Sequence, residues 1–99
     1  MKQILGVRLR TNSPIARIAA WKLGVDSVAI TVGRTIHLHN ACQLEFLADR
    51  RWLRHELAHV EQFRKYGFLR FIGLYLMESL RKGYYRNRFE VEARAAEGE

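Results

Sequence analysis

The chain is predicted to adopt an α+β fold, a small antiparallel or mixed sheet packed on a helix carrying His55-Glu56-Leu57-Ala58-His59, with two further helices after it. Three observations predict this. Residues 3–10 alternate apolar and polar, as a half-buried strand does. Residues 28–32 and 35–39 are β-rich runs on either side of Gly33-Arg34. From residue 50 onward, apolar positions recur at the spacing of a helix. Ninety-nine residues is the size of one small domain, so 1–99 is read as one unit.

The elements follow in order. Leu5, Val7 and Leu9 share one face of the first strand, with Arg8 and Arg10 on the other. Ser13 and Pro14 are a helix start, the hydroxyl as cap and the proline at the first position. Ile15, Ile18 and Ala19, with Trp21 and the stem of Lys22, form the expected buried stripe of that helix, and Gly24 ends it. Gly33 supplies the positive φ that a two-residue hairpin turn requires. Residues 40–48 read as a loop anchored by Leu44 and Phe46, with Cys42 as a small buried apolar residue. Asp49 caps the next helix, whose apolar face is Leu53, Leu57, Val60 and Phe63, and Gly67 stops it. Residues 66–80 are the most apolar stretch, yet Arg70 and Glu78 interrupt it and it is too short to span a bilayer. It is expected as a buried helix on the motif helix, stopped at Gly83, followed by a last helix over 87–97 capped by Asn87.

The motif supplies the chemistry. Four residues of helix rise about 6 Å and turn slightly more than once, so His55 and His59 leave the same face and can share one tetrahedral ion. Glu56 lies about 100° round the helix, near enough to act on a water beside that ion. One cysteine rules out a disulfide framework and thiolate-rich zinc sites, so a metal would take imidazole and carboxylate. No histidine follows His59; a third ligand from the C-terminal part would be Glu78, Glu90, Glu92 or Glu97. His37 and His39 share a strand face and read as surface or cleft residues. Glu61 is expected to pair with Lys65, and Gln62 to serve the helix surface.

HELAHVEQF, followed some thirty residues later by NRFEVEAR, resembles the gluzincin class of zinc metallopeptidases, and most closely its very small single-domain bacterial members, the minigluzincins. The likeness spans residues 28–97 loosely and is specific only at the two motifs. It implies a zincin-like fold with Zn2+ held by His55, His59 and Glu90, and Glu56 as general base. The third ligand opens Glu90-Val91-Glu92-Ala93-Arg94, where arginine stands in place of the family's aspartate. Glu92 is its rival; two residues apart on a helix, only one of them faces the metal. The resemblance further implies a peptide or protein substrate bound in extended form along the sheet's edge strand. Tyr84 or Tyr85, just upstream of Glu90, is a candidate donor to a developing oxyanion.

Seventeen basic against ten acidic residues give a net charge of +7. Such a surface attracts anions, but no nucleic-acid motif or aromatic-interleaved basic cluster accompanies it. Nucleic acid is therefore not the expected partner. No secretory leader is read at the N-terminus and no spanning segment anywhere, and a cytoplasmic protein is expected. Besides zinc-dependent peptide hydrolysis, two functions compete: a non-catalytic zinc-stabilised interaction module, and a basic nucleic-acid-binding domain. So short a chain lacks the second subdomain that usually walls a cleft, so the domain is expected to be inactive alone, latent, or dependent on a homo-oligomer or partner protein.

Overall fold

The computed structural model describes residues 6–98. Among them are three strands and five helices: β1 (Arg8–Arg10), α1 (Pro14–Leu23), β2 (Val28–Val32), β3 (Thr35–His39), α2 (Gln43–Ala48), α3 (Arg50–Tyr66), α4 (Phe68–Arg86) and α5 (Arg88–Ala96). The fold is α+β with a mixed sheet, as expected. The sheet order is β1-β3-β2, with β1 parallel and β2 antiparallel to β3. The hairpin closes at Val32↔Thr35, and Gly33 has φ +65° at the first turn position. Among the described residues β1 begins at Arg8, and Gly6 and Val7 precede it outside the strand; residues 3–5 of the expected alternation, Leu5 included, lie outside the described residues, while Val7 and Leu9 pack on the core as expected.

Helix α1 lies on one face of the sheet and α3 on the other. Ser13 caps α1 and Gly24 closes it at φ +69°. Its buried residues are Ala16 and Ala20, whereas Ile15, Ile18 and Trp21 are exposed, which corrects the expected stripe. Small side chains let the helix approach the sheet closely; the bulkier set, on the neighbouring helical face, is left outside. Across the sheet, Ile36 and Leu38 pack with Phe46, Leu53 and Val60. Residues 43–48 are a helix and not a loop, because Cys42 Sγ accepts from the Glu45 amide while Glu45 Oε1 accepts from the Cys42 amide. Cys42 is accordingly exposed, not buried, and Phe46 anchors α2 while Leu44 points outward.

Asp49 caps α3 through the Trp52 amide and Gly67 ends it. Helices α4 and α5 pack on the far side of α3 around Phe63, Phe71 and Phe89. Gly83 breaks α4 with φ +82° and ψ 170°, and one further turn reaches Asn87. Asn87 is fully buried: its Oδ1 accepts from the Phe89 amide, and its Nδ2 donates to the Tyr75 carbonyl and Ser79 Oγ. Helix α4 is not the buried helix that its apolarity suggested. Only Phe71 is buried, and Leu69, Leu76, Met77 and Leu80 are exposed. Among the described residues no helix is long and apolar enough to cross a membrane.

Candidate metal centre

Helix α3 and helix α5 meet where His55, His59 and Glu90 converge. One ligand atom from each lies within 4.8 Å of the others. His55 Nε2 is 3.0 Å and His59 Nε2 3.2 Å from the same Glu90 oxygen, Oε1. Glu90 reaches the motif because Asn87 starts α5 one turn earlier and Phe89 and Ala93 anchor its inner face. Glu92 points to the side and accepts from Gln62 Nε2 at 2.8 Å. The carboxylate that meets the imidazoles is Glu90.

The hydrogen bonds around the cluster decide which ring nitrogens carry hydrogen. Gln62 Nε2 donates to the Phe89 carbonyl and to Glu92, so its Oε1 accepts, and His59 Nδ1 donates to it at 2.8 Å. Gln62 is thus a buried orienting group, not the surface residue expected. His55 Nδ1 donates to Glu97 Oε2 at 2.7 Å. With both Nδ1 hydrogens committed, the neutral rings turn lone-paired Nε2 atoms on a carboxylate oxygen. Three acceptors facing one another require positive charge between them, either protons on both rings or a cation. Two imidazole nitrogens and one carboxylate oxygen are the donor set of a catalytic zinc, so the residues fit that ion.

The proton alternative has a measurable signature. Burial opposes charge on His55, but its bonds to Glu90 and Glu97 outweigh that and raise its pKa to about 9; His59 is raised for the same reason through Glu90. Burial alone would raise Glu90, yet His55 and His59 hold it far below the usual carboxylate range. A histidine whose folded pKa is raised adds stability that is complete below its unfolded value of 6.5 and lost as pH climbs through about 9. Chelator-treated protein is therefore expected to melt at progressively lower temperature between these pH values. With zinc present the order should reverse, because the ion displaces those protons and binds better as pH rises. Thermal scans over this range check both arms.

Glu56 lies one position along α3, 5% exposed, facing the sheet. Burial raises its pKa to about 7 despite the nearby histidines and Thr31. Thr31 Oγ1, from the next-to-last residue of β2, donates to Glu56 Oε1 at 2.8 Å, which leaves Oε2 without that donor. Tyr75 donates to Glu90 Oε2 at 2.5 Å, and burial pushes its phenol pKa well up. Of the upstream tyrosines, Tyr84 lines the cavity with its pKa raised to about 12, chiefly by burial. Tyr85 instead packs under the Arg94 guanidinium, 4.1 Å from the ring centre, and its carbonyl accepts from Arg94. Arg94, where the resemblance sets an aspartate, serves the α5–α4 junction and orients neither histidine.

The cavity holds about 230 Å3. Glu56, His55, His59 and Glu90 form its polar end, all of β2 forms one wall, and α4 contributes Ile72 and Leu76. Among the described residues β2 is the outer strand of the sheet, with no strand on its far edge, and it runs beside the cluster. His37 and His39 are not brought here. His37 is buried on the α1 side of the sheet, its Nδ1 accepting from Ser13 Oγ at 2.8 Å while that oxygen caps α1. Glu61 pairs with Arg64 at 3.4 Å instead of Lys65.

Sequence reasoning missed Gln62, Tyr75 and Thr31 as parts of the centre, and it offered Glu97 as a candidate ligand, whereas Glu97 accepts from His55 Nδ1 behind the cluster. Gln62 had a local signal, since three residues after His59 it lies beside that imidazole on the helix. Tyr75 and Thr31 had none. A family model described as the eCIS core domain matches residues 2–67, a span that holds the sheet and all of α3 but ends before Glu90. No curated protein and no solved structure matches the chain.

Proposed function

The chain belongs to the eCIS core domain family, and from the geometry of its His/Glu cluster we propose that it is a zinc-dependent peptide hydrolase of gluzincin type. The observation that carries the reading is the convergence of His55, His59 and Glu90, with both imidazoles oriented from behind by Glu97 and Gln62. Zinc held there would polarise a scissile carbonyl and acidify water. The remaining work belongs to side chains of this chain. Glu56 has a pKa of about 7 and its Oε1 held by Thr31, which suits it to accept a proton on Oε2 and return it to the leaving amine. Tyr84 lines the cavity and stays protonated at neutral pH, and in this reading it would donate to the developing oxyanion. The far edge of β2 offers backbone groups to an extended peptide, which would lie along the cavity as an added strand.

The test begins with the chain purified without chelator. It should carry stoichiometric zinc and cleave unstructured peptides, lose both on chelation, and regain both on zinc addition. Stoichiometric zinc without cleavage of any peptide would overturn the hydrolase and leave a metal-stabilised module.

A further inference from the structure

The outward face of α4 carries a pattern of which only Leu76 also borders the cavity of the metal centre. Leu69, Gly73, Leu76 and Leu80 are spaced four, three and four residues apart, which places them within roughly 60° of one another on the helix. This is the spacing of a coiled-coil seam. Leu69 and Leu80 are 82% and 89% exposed, so the seam is unpartnered among the described residues. Gly73 lies between them on an exposed helical stretch, where glycine weakens a helix relative to alanine. A Cβ there would meet nothing within 4 Å, so the protomer itself gives no steric reason for glycine.

We infer that α4 is the interface of a homodimer, in which Leu76 of each copy fills the notch left by Gly73 of the other. A two-fold axis across the helix runs the two copies antiparallel. In that register Leu69 faces the second copy's Leu80, and Gly73 faces its Leu76, in four layers that repeat symmetrically. The small residue opposite the large one makes the surface self-complementary. Charge agrees: on the flank of the seam, Arg70 comes against the second copy's Met77 and not against another cation. Covering Leu69, Leu76, Met77 and Leu80 on both copies removes on the order of 1,000 Å2 from water, near the lower bound for specific interfaces. The net charge of +7 opposes association, so the dimer should form at tens of micromolar protein and tighten with salt. The inference does not depend on the chemistry of the metal centre.

Sedimentation equilibrium of the full chain, at low and high salt, tests this with wild type and Gly73→Leu. Gly73→Leu adds apolar area and helix propensity but closes the notch. Wild type should be in monomer–dimer exchange, and Gly73→Leu should associate at least tenfold more weakly while melting no lower. A wild type monomeric at 200 µM, or undiminished association of the variant, would overturn the proposal. Vesicles of phosphatidylcholine with phosphatidylglycerol supply the last arm. Binding that Gly73→Leu strengthens and salt weakens would assign the face to lipid and overturn the dimer.

Discussion

In Glu56→Gln, zinc content is expected to stay stoichiometric while peptide hydrolysis falls by about 10²–10⁴-fold, the range a positioned general base contributes. The substitution conserves volume in a buried position, and its amide oxygen can still accept from Thr31 Oγ1 as Oε1 does now. What it removes is basicity. The buried Glu56 has a pKa of about 7, so near neutral pH its carboxylate is available yet strong enough as an acid to release the proton again. Glutamine neither takes nor returns one. Paired zinc analysis and peptide-cleavage rates measure both quantities on one preparation. Cleavage at the wild-type rate would remove Glu56 from the mechanism, and loss of zinc would show that its role is to hold the ion's site together.

Glu90→Ala should abolish stoichiometric zinc, and hydrolysis with it, whereas Glu92→Ala should retain the ion. The ranking follows from position. Glu90 Oε1 is the atom on which both imidazoles converge, while Glu92 only steadies Gln62. Groups that orient a ligand commonly cost roughly 10–100-fold in metal affinity when removed, so loss of a ligand at the same centre should cost more than that. Truncation also leaves Tyr75 without the carboxylate that accepts its hydrogen. Zinc titration of the two variants, with circular dichroism to confirm the fold, separates the carboxylates. Stoichiometric zinc in Glu90→Ala would transfer the ligand role elsewhere.

Much of this was legible before any coordinates. The His55–His59 spacing implies one helical face, and Asp49 and Gly67 mark the ends of that helix, because caps and ligand spacing are properties of a few consecutive residues. The hairpin about Gly33 is local in the same way. Glu90 was reached through resemblance to a family, not through periodicity. Helix α1 is different. Ile15 and Ile18 lie on one helical face, while Ala16 and Ala20 lie on the next. Periodicity cannot choose between adjacent faces when close approach to a sheet favours the smaller residues.

The sequence by itself determined that two imidazoles and a glutamate share a helix, that a third ligand from the C-terminal part would be a carboxylate, and that a β-hairpin precedes the motif helix. Only the tertiary structure decided that Gln62 and Glu97 lock the imidazoles, that Thr31 on β2 holds Glu56, and that Tyr75 holds Glu90. Three of those contacts join residues 42, 25 and 15 positions apart, brought together by the packing of α3 and its neighbours; His59 and Gln62 are already adjacent on α3, and packing adds only the α5 acceptors that orient the Gln62 amide. Tertiary packing also left the most apolar helix half outside the core. The small core behind α4 takes Phe71 and its neighbours on one face, so the Leu69–Leu80 face remains at the surface.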